Sequence, residues 1–152
     1  MTQIITAVQG RDIVITPTVS TATRGVLLAS PHQAFSQGVR LLLATVFEAV
    51  VMVADEVSLV ESAGCLCNDV VVIDLALVRG DAVELVRRVR GCVPDARIVV
   101  LSADGQSSVV QSVADAGADA FIVKPAIAGD LLVAIDAVLS GRKYVSRTAN
   151  IR

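Results

Sequence analysis

Tryptophan is absent from this 152-residue chain, tyrosine occurs once and phenylalanine three times. Aromatic rings therefore cannot dominate its core, although 54% of its residues are hydrophobic. Valine, leucine, isoleucine and alanine must fill that role. A chain of this length buries roughly two-thirds of its unfolded surface, as one domain. Cysteine is scarce and odd in number: Cys65, Cys67 and Cys92. A C-x-C pair with no second pair and no nearby histidine has too few ligands for zinc. The three therefore read as free thiols in a reducing cytoplasm. Basic charge is not in excess. Thirteen Lys+Arg against fifteen Asp+Glu leave a net charge of −2, which offers nucleic acid no electrostatic footprint. Apolar runs are broken by Glu, Asp, Arg or Gly before ~18 residues, so no membrane span is expected. The N-terminus lacks a basic head followed by an apolar segment, so no secretory signal is expected either.

Several chemical motifs are missing too. Neither G-x-G-x-x-G nor G-x-x-x-x-G-K-[ST] occurs, which removes the usual α/β phosphate loops. There is no G-x-S-x-G elbow, and His32 is the single histidine. Ser102, His32 and Asp74 can be written down as a triad, but nothing in their spacing supports the geometry a triad needs.

What is present is a rhythm. Residues 1–24 stand apart as an N-terminal extension, Thr-rich and interrupted by Pro17, readable as an edge strand or a mobile arm. From Gly25 onward short apolar runs alternate with helical stripes. The runs are GVLLAS, AVVMVA, DVVVID, ARIVVLSA and DAFIVKP. Between and after them come HQAFSQGVRLLLATV, DEVSLVESAG, DAVELVRRVRG, QSSVVQSVADAG and AGDLLVAIDAVLSG. Asp55 is a helix start, and Gly64, Gly91 and Gly117 are helix stops. Arg87, Arg88 and Arg90 read as a solvated helix face. Such alternation predicts an α/β fold, (βα)5, with a parallel sheet covered on both faces. Residues 25–141 form this unit and 142–152 a C-terminal linker or tail.

In open α/β sheets functional groups gather where the strands end. The first strand is followed by Ser30-Pro31, the third ends in Asp74, the fourth leads into Ser102 and the fifth into Lys124. A carboxylate, a hydroxyl and an ammonium would thus converge. A buried carboxylate is costly alone and tolerable beside a lysine, so a standing Asp74–Lys124 contact is expected.

Taken together, VVVIDLAL, IVVLSA and GADAFIVKPA resemble the receiver domains of bacterial two-component response regulators. PHQAFSQGVRLLL and AVLSGRKYVS resemble the subclass that precedes LuxR/NarL-type DNA-binding domains. The resemblance covers about four-fifths of the chain. It implies a flavodoxin-like, doubly wound sandwich with a five-stranded sheet in the order 2-1-3-4-5. It makes Asp74 the phosphoacceptor position, served by a histidine kinase. Ser102 and Lys124 become the phosphoryl-contacting hydroxyl and lysine, and Phe121 the aromatic switch. The face of the fourth helix, fifth strand and fifth helix would carry output or dimerisation. No catalytic residue is implied, nor nucleic-acid binding by this chain itself, although a DNA-binding domain can follow such receivers.

One position departs from the pattern. The family ordinarily carries two adjacent acidic residues after the first strand, which hold Mg²⁺, and here stand Ser30 and Pro31. Serine offers one neutral oxygen, and proline neither a side-chain ligand nor an N–H. No cofactor is expected, with Mg²⁺ bound weakly if at all. Arg79, in the loop after Asp74, reads as a solvated arginine or as a surrogate cation. The expected function is an atypical receiver acting through protein contacts. Two alternatives remain, a receiver phosphorylated on Asp74 and a small-molecule module using the Ser30 pocket.

Overall fold

Four or five apolar residues in a row cannot alternate an apolar face with a wet one, so such strands need cover on both sides. The computed structural model, which describes residues 3–6, 24–66 and 68–146, shows how the cover is supplied. Its strands are β1 (Gln3–Thr6), β2 (Gly25–Ala29), β3 (Ala49–Val53), β4 (Val70–Asp74), β5 (Arg97–Ser102), β6 (Ala120–Val123) and β7 (Tyr144–Val145). Its helices are α1 (Gln33–Leu43), α2 (Glu56–Cys65), α3 (Ala82–Cys92), α4 (Ser107–Ala116) and α5 (Ile127–Leu139). The sheet is parallel throughout, in the order β1-β3-β2-β4-β5-β6-β7. The expected five-stranded order 2-1-3-4-5 is its centre, β3-β2-β4-β5-β6. One short strand extends it at each edge. Periodicity could not announce β7, because two residues are too few to show a period.

Successive strand residues point to opposite faces. Val71 and Ile73 of β4 enter a core shared with α2, α3 and α4, while Val70 and Val72 enter one shared with α1 and α5. Each fully buried Val, Leu or Ile contributes roughly 1.5–3 kcal/mol relative to exposure. Among the described residues no helix is long and apolar enough to cross a membrane. Most of the 1–24 extension, Pro17, Cys67 and residues 147–152 lie outside the described residues.

Helix ends follow local chemistry, with two differences from expectation. Asp55 caps α2 by accepting the Ser58 N–H at 2.7 Å. However, α2 runs through Gly64 to Cys65, and α3 through Gly91 to Cys92. Neither glycine adopts positive φ, so neither forces a stop. Gly117 does end α4, at φ +124°, and a Cβ there would lie 3.0 Å from the Arg90 side chain.

Arg90 is not the solvated residue its neighbours suggested. Its guanidinium donates to the carbonyls of Gly117 and Ala96 and, at 2.7 Å, to Asp119. Asp119 is buried before β6 and also accepts the Ile98 N–H and the Lys143 ammonium, both at 2.9 Å. Burial pushes the Asp119 carboxyl upward, but the Ile98 N–H, Lys143 and Arg90 together outweigh it and hold it below the ordinary aspartate range. A carboxyl whose pKa is lower folded than unfolded stabilises above its ordinary pKa. That contribution is lost as pH falls through the lowered value. Asp119→Asn is expected to cost about 1–3 kcal/mol at neutral pH, and to flatten the acid limb of stability. Urea titrations across acid pH read both. An unchanged acid slope would refute this account of Asp119.

Candidate functional site

Asp74 is the last residue of β4 and has 0% exposure, so the buried strand delivers its carboxylate into a closed place. Three donors meet it there. The Ala76 N–H, in the 3₁₀ turn Leu75–Leu77, donates to Oδ1 at 2.9 Å. The Ser30 hydroxyl, arriving from the end of β2, donates to Oδ2 at 2.8 Å. The Lys124 ammonium, following β6, stands 2.7 Å from Oδ1. The ion pair expected from charge alone is therefore present. A buried charge is tolerable when paired and hydrogen-bonded on its remaining lone pairs, and Asp74 meets both conditions.

Register explains the convergence. Asp74 lies opposite Leu101, and Ser102 opposite Val123. Ser102 and Lys124 thus each stand one residue further along the same sheet edge. Ser102 is nearly buried, while the bonded cluster itself is Ser30, Asp74 and Lys124. Phe121, with 2% exposure, packs into the core on the α4 side. With Val110, Val113, Ala114, Tyr144 and Val145 it lines a groove of about 270 Å³. The Ser102–His32–Asp74 triad is not assembled. His32 is exposed at the N-cap of α1 without a side-chain capping bond, and Asp74 is engaged by other donors.

Pro31 is exposed at the mouth of the site. It lines two clefts, one of about 240 Å³ shared with Ser30, Ser36 and Met52, the other of about 390 Å³ shared with Asp55, Glu56 and Arg79. Arg79 is thus exposed beside the site and not seated on the carboxylate. The residues present do not fit Mg²⁺. That ion wants several oxygens with anionic charge. Here Ser30 offers one neutral oxygen and donates a hydrogen bond to Asp74, Pro31 has no side-chain ligand, and the Asp74 carboxylate is already paired with Lys124. Among the described residues no group of three or more His, Cys, Asp or Glu could hold a metal.

One contributor escaped the sequence. The Lys124 ammonium lies 4.8 Å from the centroid of the Phe35 ring, a cation–π contact. Phe35 had read only as part of the apolar stripe of α1. Its place in the first turn of α1, just after the β2 strand end, was the available signal.

Residues 26–136 match the family model described as response regulator receiver domain. The chain is 30% identical over 122 residues to the transcriptional regulatory protein DegU of Brevibacillus brevis, covering 79% of this chain and 52% of that one. It is 31% identical over 127 residues to the nitrate/nitrite response regulator protein NarP of Escherichia coli K12, covering 82% and 59%. A LuxR-family two-component response regulator from Aurantimonas sp. SI85-9A1 superposes with a TM-score of 0.74 at 25% identity, over 86% of this chain and 93% of that one. The chain thus spans little more than half the length of these two curated relatives.

Proposed function

The chain belongs to the response regulator receiver domain family, and from that premise we propose that it is an atypical receiver, signalling through protein contacts with little phosphorylation of Asp74. Receivers of this family work in two-component signalling. The observation that carries the finer reading is the state of Asp74, fully buried, with Ser30 on one oxygen and Ala76 and Lys124 on the other.

Phosphoryl transfer is mostly positioning and charge neutralisation. The attacking oxygen must reach phosphorus in line, and Asp74 is fully buried and held by Ser30 on Oδ2 and by Ala76 and Lys124 on Oδ1, with Lys124 the cation paired with it. Where a divalent ion would add several kcal/mol of stabilisation, Ser30 and Pro31 offer no anion to hold it. Each 1.36 kcal/mol lost is a tenfold loss of rate. The expected consequence is transfer slowed by orders of magnitude. Partners then engage the face formed by α4, β6 and α5 around Phe121, whether a second copy or an output protein. We place this activity in the cytoplasm, where Cys65 and Cys92, both free thiols, would stay reduced.

A second reading is supported by Ser102 and Lys124, a hydroxyl at the end of β5 and an ammonium after β6 on the sheet edge that carries Asp74. In it a histidine kinase phosphorylates Asp74 despite the poor cation site. Incubation with acetyl phosphate and Mg²⁺, followed by intact-mass measurement, separates the two. The expected spectrum shows no appreciable phosphoryl adduct. A stoichiometric gain of one phosphoryl group, abolished in Asp74→Asn, would establish the second reading instead.

A further inference from the structure

The segment after α5 turns back and fastens itself beside the switch position. Gly141 takes φ +82°, and the Arg142 N–H donates to the Ala137 carbonyl at 2.9 Å. β7 then joins β6, with Tyr144 opposite Ala120 and Val145 opposite Phe121. The Tyr144 N–H donates to the Asp119 carbonyl at 3.1 Å, and the Ser146 N–H to the Phe121 carbonyl at 2.8 Å. Side chains pin both ends. Lys143 meets Asp119 at 2.9 Å, and the Ser146 hydroxyl, itself fully buried, donates to the Asp130 carboxylate of α5. Val145 packs toward the α4-side core and Tyr144 toward the α5-side core.

This is a firm fastening on a slight element. Two residues of strand contribute few hydrogen bonds, each worth about 1 kcal/mol net. The Lys143 side chain is 70% exposed, so solvent screens its ion pair. Short edge segments of this kind open at far lower cost than the global fold. Opening would have two effects. It removes Tyr144 and Val145 from one wall of the groove that Phe121 lines. It also leaves β6 as an unpaired edge, which is a template for another strand. The adjoining helix α4 carries one charged residue, Asp115, so a second copy could approach with little repulsion. Two such edges related by a two-fold axis would present the same surface to each other.

We propose that residues 142–146 are an autoinhibitory strap that closes the β6 edge beside Phe121, and that its release opens this edge to a second copy of the chain. The proposal rests on the reading that the α4–β6–α5 face carries output, but it does not depend on whether Asp74 is phosphorylated.

Tyr144 is the sole tyrosine of a tryptophan-free protein, so its fluorescence quenching by iodide reports the strap directly. The test compares the full chain and Lys143→Ala/Ser146→Ala, each with and without Ala114→Arg on the exposed groove side of α4. Circular dichroism verifies that each folds. The released variant is expected to show stronger quenching and Tyr144 and Ser146 amides exchanging at least about tenfold faster. Sedimentation velocity should show self-association at least about tenfold tighter, equivalent to about 1.4 kcal/mol. Ala114→Arg should abolish that gain. Amides that stay protected in the released variant would overturn the assigned fastening. Release that leaves association unchanged, where Ala114→Arg still weakens it, would overturn the strap alone. Association indifferent to Ala114→Arg in both backgrounds would overturn the output face, and the strap's role with it.

Discussion

With Ser30 and Pro31 both changed to aspartate, Mg²⁺ at about a hundred times its Kd is expected to raise the melting temperature by roughly 5–11 °C, while the native protein melts alike with and without the ion. The Ser30 hydroxyl now lies 2.8 Å from Asp74 Oδ2. A carboxylate in its place sets two anions side by side in a buried corner. At ~4 Å and an effective dielectric of ~20 they repel by about 4 kcal/mol. The metal-free double variant should therefore be less stable than the parent, with Lys124 the cation paired to Asp74 there. A divalent ion reverses the sign of that interaction. Ligand at a hundred times its Kd adds about 2.7 kcal/mol, and for a domain of this size each kcal/mol moves the melting point by about 2–4 °C. A native protein stabilised equally well by Mg²⁺ would show that Ser30 and Pro31 are no obstacle, and the reading of Asp74 as a closed ion pair would fall with it.

Changing Lys124 to methionine is expected to cost about 3–5 kcal/mol, the usual result of leaving a buried charge without its partner. Asp74 has 0% exposure and cannot exchange the lost ammonium for water in place. The reverse change, Asp74→Asn, should cost less, because the Lys124 side chain retains 18% exposure and its contact with Phe35. The double variant Lys124→Met/Asp74→Asn should recover most of the loss, since no buried charge remains. Urea midpoints for the four proteins give the coupling energy directly. Costs that simply add would mean that Asp74 and Lys124 do not depend on each other, contrary to their 2.7 Å separation.

Much of this was legible from the chain. Continuous runs such as Val70–Ile73 announce a doubly covered parallel strand, because no surface strand could afford them. The helices between them follow from the spacing of residues such as Val39, Leu43 and Val86, all buried. Asp74, Ser102 and Lys124 could be read as strand-end residues, and Ser30-Pro31 as a missing anionic pair. Arg90 could not be told from Arg87 or Arg88. All three are arginines on one helix, and only the approach of Gly117 and Asp119 from another element gives Arg90 its partners. Gly64 and Gly91 looked like helix stops because a glycine permits a stop. Whether it makes one depends on the chain beyond it.

The sequence by itself determined the βα alternation, the aliphatic core and the chemical identities available at the strand ends, because period, side-chain volume and charge are properties of local stretches. Only the tertiary structure decided that Phe35 lies under the Lys124 ammonium, that Asp119 gathers Arg90 and Lys143, and that Tyr144–Val145 closes the β6 edge. Those contacts join residues far apart in sequence, and their energies exist only once sheet register and helix packing have set the distances between them.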